Sequence, residues 1–265
     1  MHANYHTHTY RCRHAEGTER EYIERAIEGG LKVLGFSDHT PLPVPEAYYA
    51  ACPTVRMHPE EFEGYCDTLL ALKNEYRRDI DIRIGVEAEY VRPMFEEMTA
   101  FLDQYPIDYM ILGQHIVGNI VYGDETVWSS QPHPEPSILS AYLKQVLEGL
   151  RTGRFLYVAH PDLIHFTGDS AIYDREMRTF CREVKALDIP LEINFLGIAD
   201  HRNYPNPEFW RIAGEVGNRV VFGSDAHRPT DVWRPDTLRI AEEMVREYNL
   251  NYDRKFMLDE TASHE

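Results

Sequence analysis

Seven times along this chain, a short apolar run is followed by a longer stretch with the spacing of an amphipathic helix. The runs occupy residues 3–9, 32–39, 81–90, 109–117, 155–163, 190–195 and 219–227. They are short and rich in β-branched and aromatic residues, so they read as buried strands. The stretches 18–29, 59–78, 94–104, 136–150, 174–187, 206–216 and 236–248 read as helices. The first opens with Thr18-x-x-Glu21, a capping box, and its Tyr22, Ile23, Ala26 and Ile27 share one face. Strands alternating with helices imply a parallel sheet. About seven such units suggest a closed barrel more than an open sheet. No Gly-rich dinucleotide fingerprint follows the first strand, and no Walker loop occurs. No linker divides the chain, so residues 1–265 are expected to form a single domain.

The strands end in polar groups. His6 and His8 close the first, Asp38 and His39 the second, and Glu87 and Glu89 the third. His115 follows the fourth, His160 the fifth, and Asp225 and His227 the seventh. A buried strand ends in charge only where that charge has a partner. In barrels of this kind the C-terminal strand ends form one mouth, so residues more than two hundred positions apart should converge there. Residues i and i+2 of a strand project to the same face. His6-x-His8, Glu87-x-Glu89 and Asp225-x-His227 therefore each present a pair of donors. One such pair is weak evidence of a metal; three at strand ends are strong. Without a cation, so many ionisable groups would repel or stay unsatisfied.

The formal charge is −17, from 27 basic and 44 acidic residues, which disfavours nucleic acid and anionic membranes as partners. An anionic small substrate then needs a local positive field, and bound divalent cations would supply it. Cys12, Cys52, Cys66 and Cys181 form no C-x-x-C pair, consistent with reduced thiols and a cytoplasmic location. No secretory leader is recognisable, and no run approaches the roughly 20 apolar residues of a membrane span. Two irregular stretches, 40–58 and 118–135, are candidate walls or lids of the mouth. His2, His58, His133 and His264 read as solvent histidines. No sequence feature sets an oligomeric state.

The motifs YHTHT, FSDH, GVEAEY, LGQH, AHPD and GSDAH, in this order, resemble the polymerase-and-histidinol-phosphatase (PHP) superfamily, and within it the monofunctional histidinol-phosphatase branch. The resemblance spans about residues 4 to 250. It implies a distorted (β/α)7 barrel with its metal site at the C-terminal strand ends, holding two or three divalent ions (Mn, Fe or Zn). One ion would be held by His6, His8, Glu87 and Asp225. A second would share Glu87 and add His115 and His160, and a third would take His14, His39 and His227. Two departures stand out: many members carry Asp where His14 stands, and many have a serine where Gly113 stands, so that hydroxyl is missing here.

The implied reaction is hydrolysis of a small phosphomonoester, with L-histidinol phosphate as the leading substrate. His6, His8, Glu87 and Asp225 would hold the metals that activate a bridging hydroxide. Arg202 is the leading candidate for binding phosphate, ahead of Arg11 and Arg56. Asp162 and His201 are candidate acids for the leaving group. His165 is a candidate substrate contact. Glu89 would either orient a histidine ligand or meet the substrate's ammonium group; Asp38 would likewise orient its neighbours, and Asn194 would line the mouth. Two alternatives remain: a PHP phosphoesterase acting on another small phosphate or a nucleotide, and an inactive metal-binding regulatory domain.

Overall fold

A computed structural model describes residues 1–51, 54–121 and 123–258. Four strands, β1 (Ala3–Asn4), β2 (Val33–His39), β3 (Asp81–Ala88) and β4 (Tyr109–Leu112), lie parallel in that order. The chain then forms a small antiparallel pair, β5 (Ile116–Val117) and β6 (Val127–Trp128). Three further parallel strands follow, β7 (Leu191–Asn194), β8 (Arg219–Gly223) and β9 (Asn251–Tyr252). Single parallel bridges from Val158 to Leu112 and to Leu191 join β4 to β7. Another, Thr7 to Ala226, joins the chain leaving β1 to the chain leaving β8. The result is an α/β fold on a curled parallel sheet.

Helices pack outside the curl: α1 (Glu19–Glu28), α2 (Glu46–Ala51), α3 (Phe62–Glu75), α4 (Arg92–Leu102), α5 (Pro136–Leu150), α6 (Ser170–Ala186), α7 (Phe195–Ala199), α8 (Pro207–Val216) and α9 (Pro235–Glu247). The capping box of α1 forms as its sequence predicts. The Thr18 N–H donates to Glu21 Oε2 at 2.7 Å, and the Thr18 hydroxyl accepts from the Glu21 N–H at 3.4 Å. No helix among the described residues is long and apolar enough to cross a membrane.

All seven strands are shorter than their apolar runs, three of them the most. In 155–163 only Val158 bridges to neighbours, because Pro161 offers no N–H to extend a ladder and His160 turns the backbone to φ +32°. The run 3–9 pairs as a strand only at Ala3–Asn4; Thr9 then caps a 3-10 turn at Tyr10–Cys12. The run 109–117 breaks after Leu112, and its end joins the antiparallel pair.

Alternation along the strands separates two apolar layers. Leu34, Phe36, Ile82, Ile84, Ile193 and Phe222 face the helices. Tyr5, Val33, Tyr109, Ile111, Tyr157 and Val221 fill the inside of the curl. Gly35 and Gly85 make room for the Tyr109 ring, since a Cβ at either would lie 2.3 or 2.4 Å from its atoms. The Tyr109 hydroxyl donates to the Tyr5 carbonyl at 2.8 Å. Below this layer Phe256 meets Tyr5 edge-on at 5.9 Å, and the Leu258 N–H donates to the Tyr5 hydroxyl at 2.9 Å. The end of the curl where the strands begin is therefore plugged by aromatic rings, which leaves the other end for polar chemistry.

Candidate metal and phosphate site

At the C-terminal strand ends lies a cavity of about 510 Å³, within the usual range for small-molecule sites. Its floor carries Glu87, His160 and Asp225, with His6 and His8 fully buried beside them. They arrive from four different strand ends, which is why residues so far apart in sequence meet. His160 and Asp225 hold positive φ, +32° and +49°, a region that non-glycine residues rarely adopt. Such strain persists where the surroundings fix it, commonly at functional sites.

Four buried atoms converge without a hydrogen-bond partner: His6 Nε2, His8 Nε2, Glu87 Oε2 and Asp225 Oδ1. His6 Nε2 lies 3.5 Å from Glu87 Oε2 and 3.4 Å from Asp225 Oδ1. His8 Nε2 lies 3.5 Å and 3.0 Å from the same two oxygens. Donors about 2.1 Å from one tetrahedral ion stand about 3.4 Å apart. The donor types and their spacing thus fit a divalent cation, and a buried set of this kind left bare would be costly.

Glu87 faces five imidazoles. Its Oε2 points toward His6, His8 and His39, the last at 3.1 Å. Its Oε1 meets His160 Nε2 at 2.8 Å and His115 Nε2 at 3.5 Å. Its two oxygens therefore face different sets of imidazoles. A third set is formed by His14, His39 and His227, whose ring nitrogens lie within 4.8 Å of one another. The structure brings all nine expected donors together, and His39 stands between the second and third sets. Cys12 also approaches His8 and His227, but burial pushes its thiol well up, so it packs as a neutral group.

The electrostatics describe a negative hollow. Burial opposes charge on His6 and His8, yet the facing carboxylates raise both, His8 to about 9. Burial also works against ionised Glu87 and Asp225, but the histidines around them hold both carboxyls well below their usual range. Burial and the nearby His8 charge bring His39 down to about 4 and His227 to about 3, which keeps both rings neutral. Metals bind neutral imidazoles and ionised carboxylates, so an ion held by His6 and His8 would displace a proton from each ring.

Around the donors, Glu89 accepts from Arg56 at 2.9 and 3.2 Å and lies 3.2 Å from His115 Nδ1. Arg56 is thus engaged with Glu89 and the Thr40 carbonyl, and Arg11 pairs with Glu19; neither lines the cavity. Asp38 takes the Thr9 N–H and hydroxyl and lies 3.6 Å from His8 Nδ1. Arg202 does line the cavity, where its guanidinium donates to the Tyr204 hydroxyl and to Asp200, each at 3.2 Å. Arg228 and Arg234 line it as well, and sequence reasoning missed both because a loop arginine carries no periodic signal. Of the two irregular stretches, Thr54 and Val55 border the cavity from one and Trp128 and Ser130 from the other.

Three expectations need correction. His165 is not part of the cavity lining, because the chain leaves the sheet after Val158; its backbone instead pairs with Ser129 and His133. His201 is exposed and outside the lining. Asp162 is buried outside it, accepting the Asn206 N–H at the start of α8 at 2.5 Å. Cys52 and His264 lie outside the described residues.

Burial raises the Asp162 carboxyl to about 7, against the pull of the Asn206 N–H. Between 3.8 and about 7 the folded protein keeps a proton that the unfolded chain releases, so stability falls as pH rises through that window. Asp162→Asn removes this loss. Its urea-unfolding free energy relative to the parent is expected to improve by about 2–3 kcal/mol between pH 5 and pH 8. An unchanged difference across that range would contradict the burial argument.

A curled parallel sheet with a nest of histidines and carboxylates at its strand ends defines a barrel-type α/β protein with a capacity for divalent metal. The chain belongs to the PHP domain family, whose model matches residues 4–195. It is 30% identical over 232 residues to a probable histidinol-phosphatase of Deinococcus radiodurans, covering 86% of each chain. It is 26% identical to the histidinol-phosphatase of Bacillus subtilis, over 86% of this chain and 94% of that protein. In fold it is similar to a histidinol phosphate phosphatase from Lactococcus lactis crystallised with zinc, L-histidinol and phosphate. The TM-score is 0.70 at 20% identity, and 95% of each chain is covered.

Proposed function

We propose that this protein is a metal-dependent phosphomonoester hydrolase that releases phosphate from L-histidinol phosphate. The observation that carries the reading is the set of four orphaned buried donors at the floor of the cavity. The named relatives support the choice of substrate. His6, His8, Glu87 and Asp225 would hold one divalent ion; Glu87, His115 and His160 a second; and His14, His39 and His227 a third, with Mn, Fe and Zn all suited to these ligands. Such ions supply a water that is nucleophilic at neutral pH and positive charge for the phosphoryl oxygens.

The chain's own residues do the rest. Glu87, reaching two donor sets, sets the distance between them. Glu89, neutralised by Arg56, orients His115 through Nδ1. Arg202 on the cavity wall is placed to bind the phosphate of a small anionic substrate. Arg202→Ala should raise KM about tenfold and leave kcat nearly unchanged, the signature of ground-state binding; steady-state kinetics with an unchanged KM would return Arg202 to the surface.

We read the fold as a distorted (β/α)7 barrel whose staves are β1 to β4, Val158, β7 and β8, and we take residues 1–265 as one PHP-type domain. Cys12, Cys66 and Cys181 are unpaired, which suits a cytoplasmic enzyme. The acidic charge disfavours nucleic acid as a substrate. The test is phosphate release by purified protein with added Mn²⁺ or Zn²⁺ from histidinol phosphate, generic monoesters and nucleotides. Histidinol phosphate should be strongly preferred. Preference for a nucleotide would overturn the substrate, and inactivity on all of them with metal bound would overturn the enzyme.

A further inference from the structure

Glu192 lies within β7, is fully buried, and is not part of the lining of the cavity at the strand ends. Alternation sends Leu191 and Ile193 to the helices and Glu192 and Asn194 into the curl. Its Oε1 lies 2.8 Å from His6 Nδ1 and accepts the Tyr157 hydroxyl at 3.2 Å. Its Oε2 accepts the His160 backbone N–H and the Asn194 amide, each at 3.0 Å. Two of these partners, the His160 N–H and the Asn194 amide, can only donate, and the Tyr157 hydroxyl donates here. A carboxylate can only accept, so His6 Nδ1 carries a proton toward it, and the His6 Nε2 lone pair is left for the orphaned cluster. The same carboxylate pins the backbone N–H of His160, at its strained φ of +32°.

The neighbouring strand is shaped for this group. Asn194 of β7 pairs in register with Gly223 of β8, where a Cβ would fall 1.7 Å from Glu192 Oε1. Any side chain at 223 would drive the carboxylate off His6.

We propose that Glu192 is a positioning residue that sets the His6 tautomer and ties His6 to His160, so that one buried carboxylate aligns donors of two ion sites; this rests on the metal-dependent reading above. Metal-stripped full-length protein would be titrated with Zn²⁺ against a chromophoric chelator. Glu192→Gln keeps the shape but turns an amide donor toward one of these four donors, and it should weaken Zn²⁺ binding by about 10–100-fold. Gly223→Ala, with Glu192 intact, should weaken it similarly. Nitrogen NMR of the Zn²⁺-loaded parent should place the His6 proton on Nδ1, a readout independent of how well either variant folds. A folded Glu192→Gln protein with parental Zn²⁺ affinity, or a loaded parent with the His6 proton on Nε2, would overturn the proposal alone. A parent that binds no divalent ion would overturn the metal-dependent reading together with it.

Discussion

Replacing Asp225 with asparagine is expected to lower kcat by at least about a hundredfold at saturating metal. The reason is comparative. Removing a group that merely orients a metal-bound histidine typically costs 10–100-fold, and Asp225 is placed to contribute a ligand atom itself. Its Oδ1 sits 3.4 Å from His6 Nε2 and 3.0 Å from His8 Nε2, while Oδ2 accepts the Asn194 amide at 3.1 Å. Asparagine keeps the volume and one acceptor but removes the charge that completes the four-donor set. His6→Ala should lose at least as much, because it deletes a donor and also strands Glu192 in the interior. Rates measured with metal content determined on the same samples separate lost loading from lost chemistry. Near-parental turnover at full loading in either variant would mean the donor set is wrongly assigned.

Gly113→Ala should be nearly as damaging, although it adds one methyl group. A Cβ at 113 would stand 1.8 Å from Glu87 Oε1 and 2.5 Å from its carboxyl carbon. Glu87 has nowhere cheap to go, because its oxygens face five imidazoles. Overpacking of this kind costs about 1–3 kcal/mol, which corresponds to a fall in Tm of about 2–10 °C for a chain of this size. The displaced carboxylate would also spoil both of its donor sets, so activity should fall about a hundredfold. Calorimetry and kinetics on one preparation test both effects. A serine at 113, as many members of the superfamily carry, should behave like alanine here. Parental activity in either variant would show that Glu87 can move without consequence.

The alternation of strands and helices was readable because each apolar run is bounded by an amphipathic stretch and several by turn residues. The donors were readable for a related reason: a histidine or acid at the end of a buried strand contradicts its surroundings. His6, His39, Glu87 and Asp225 all carry that signature. Glu192 does not, because it interrupts PLEINF in mid-strand and resembles an edge residue until its neighbours are known. The available hint was its i, i+2 relation to Asn194, which places two polar groups on one face of an otherwise apolar strand. His165 was misplaced for the opposite reason. The run just before it, 155–163, looks like a long strand, but Pro161 and the turn at His160 end the pairing after Val158. Helix ends shifted by a few residues where a cap was overlooked. Asp169 accepts from the Ala171 and Ile172 N–H groups and so starts α6 at Ser170 rather than at 174. Arg228 and Arg234 gave no signal, since only the folded loop shows that they border the cavity.

The bridge between Thr7 and Ala226 has a consequence for how the protein is made. His6 and His8 emerge from the ribosome first among the donors, and Asp225 and His227 emerge last. The Ala226 carbonyl receives the His8 N–H at 2.9 Å, so the segment after β1, already paired with β2, gains a further tie only from a segment made much later. Until about 220 residues beyond His6 have been synthesised, His6 and His8 have no carboxylate from the chain leaving β8 to face. A nascent or prematurely ended chain therefore cannot assemble the four-donor set or capture its ion there. Capture of an ion by this donor set would therefore wait until the segment that carries Asp225 has folded against the start of the barrel.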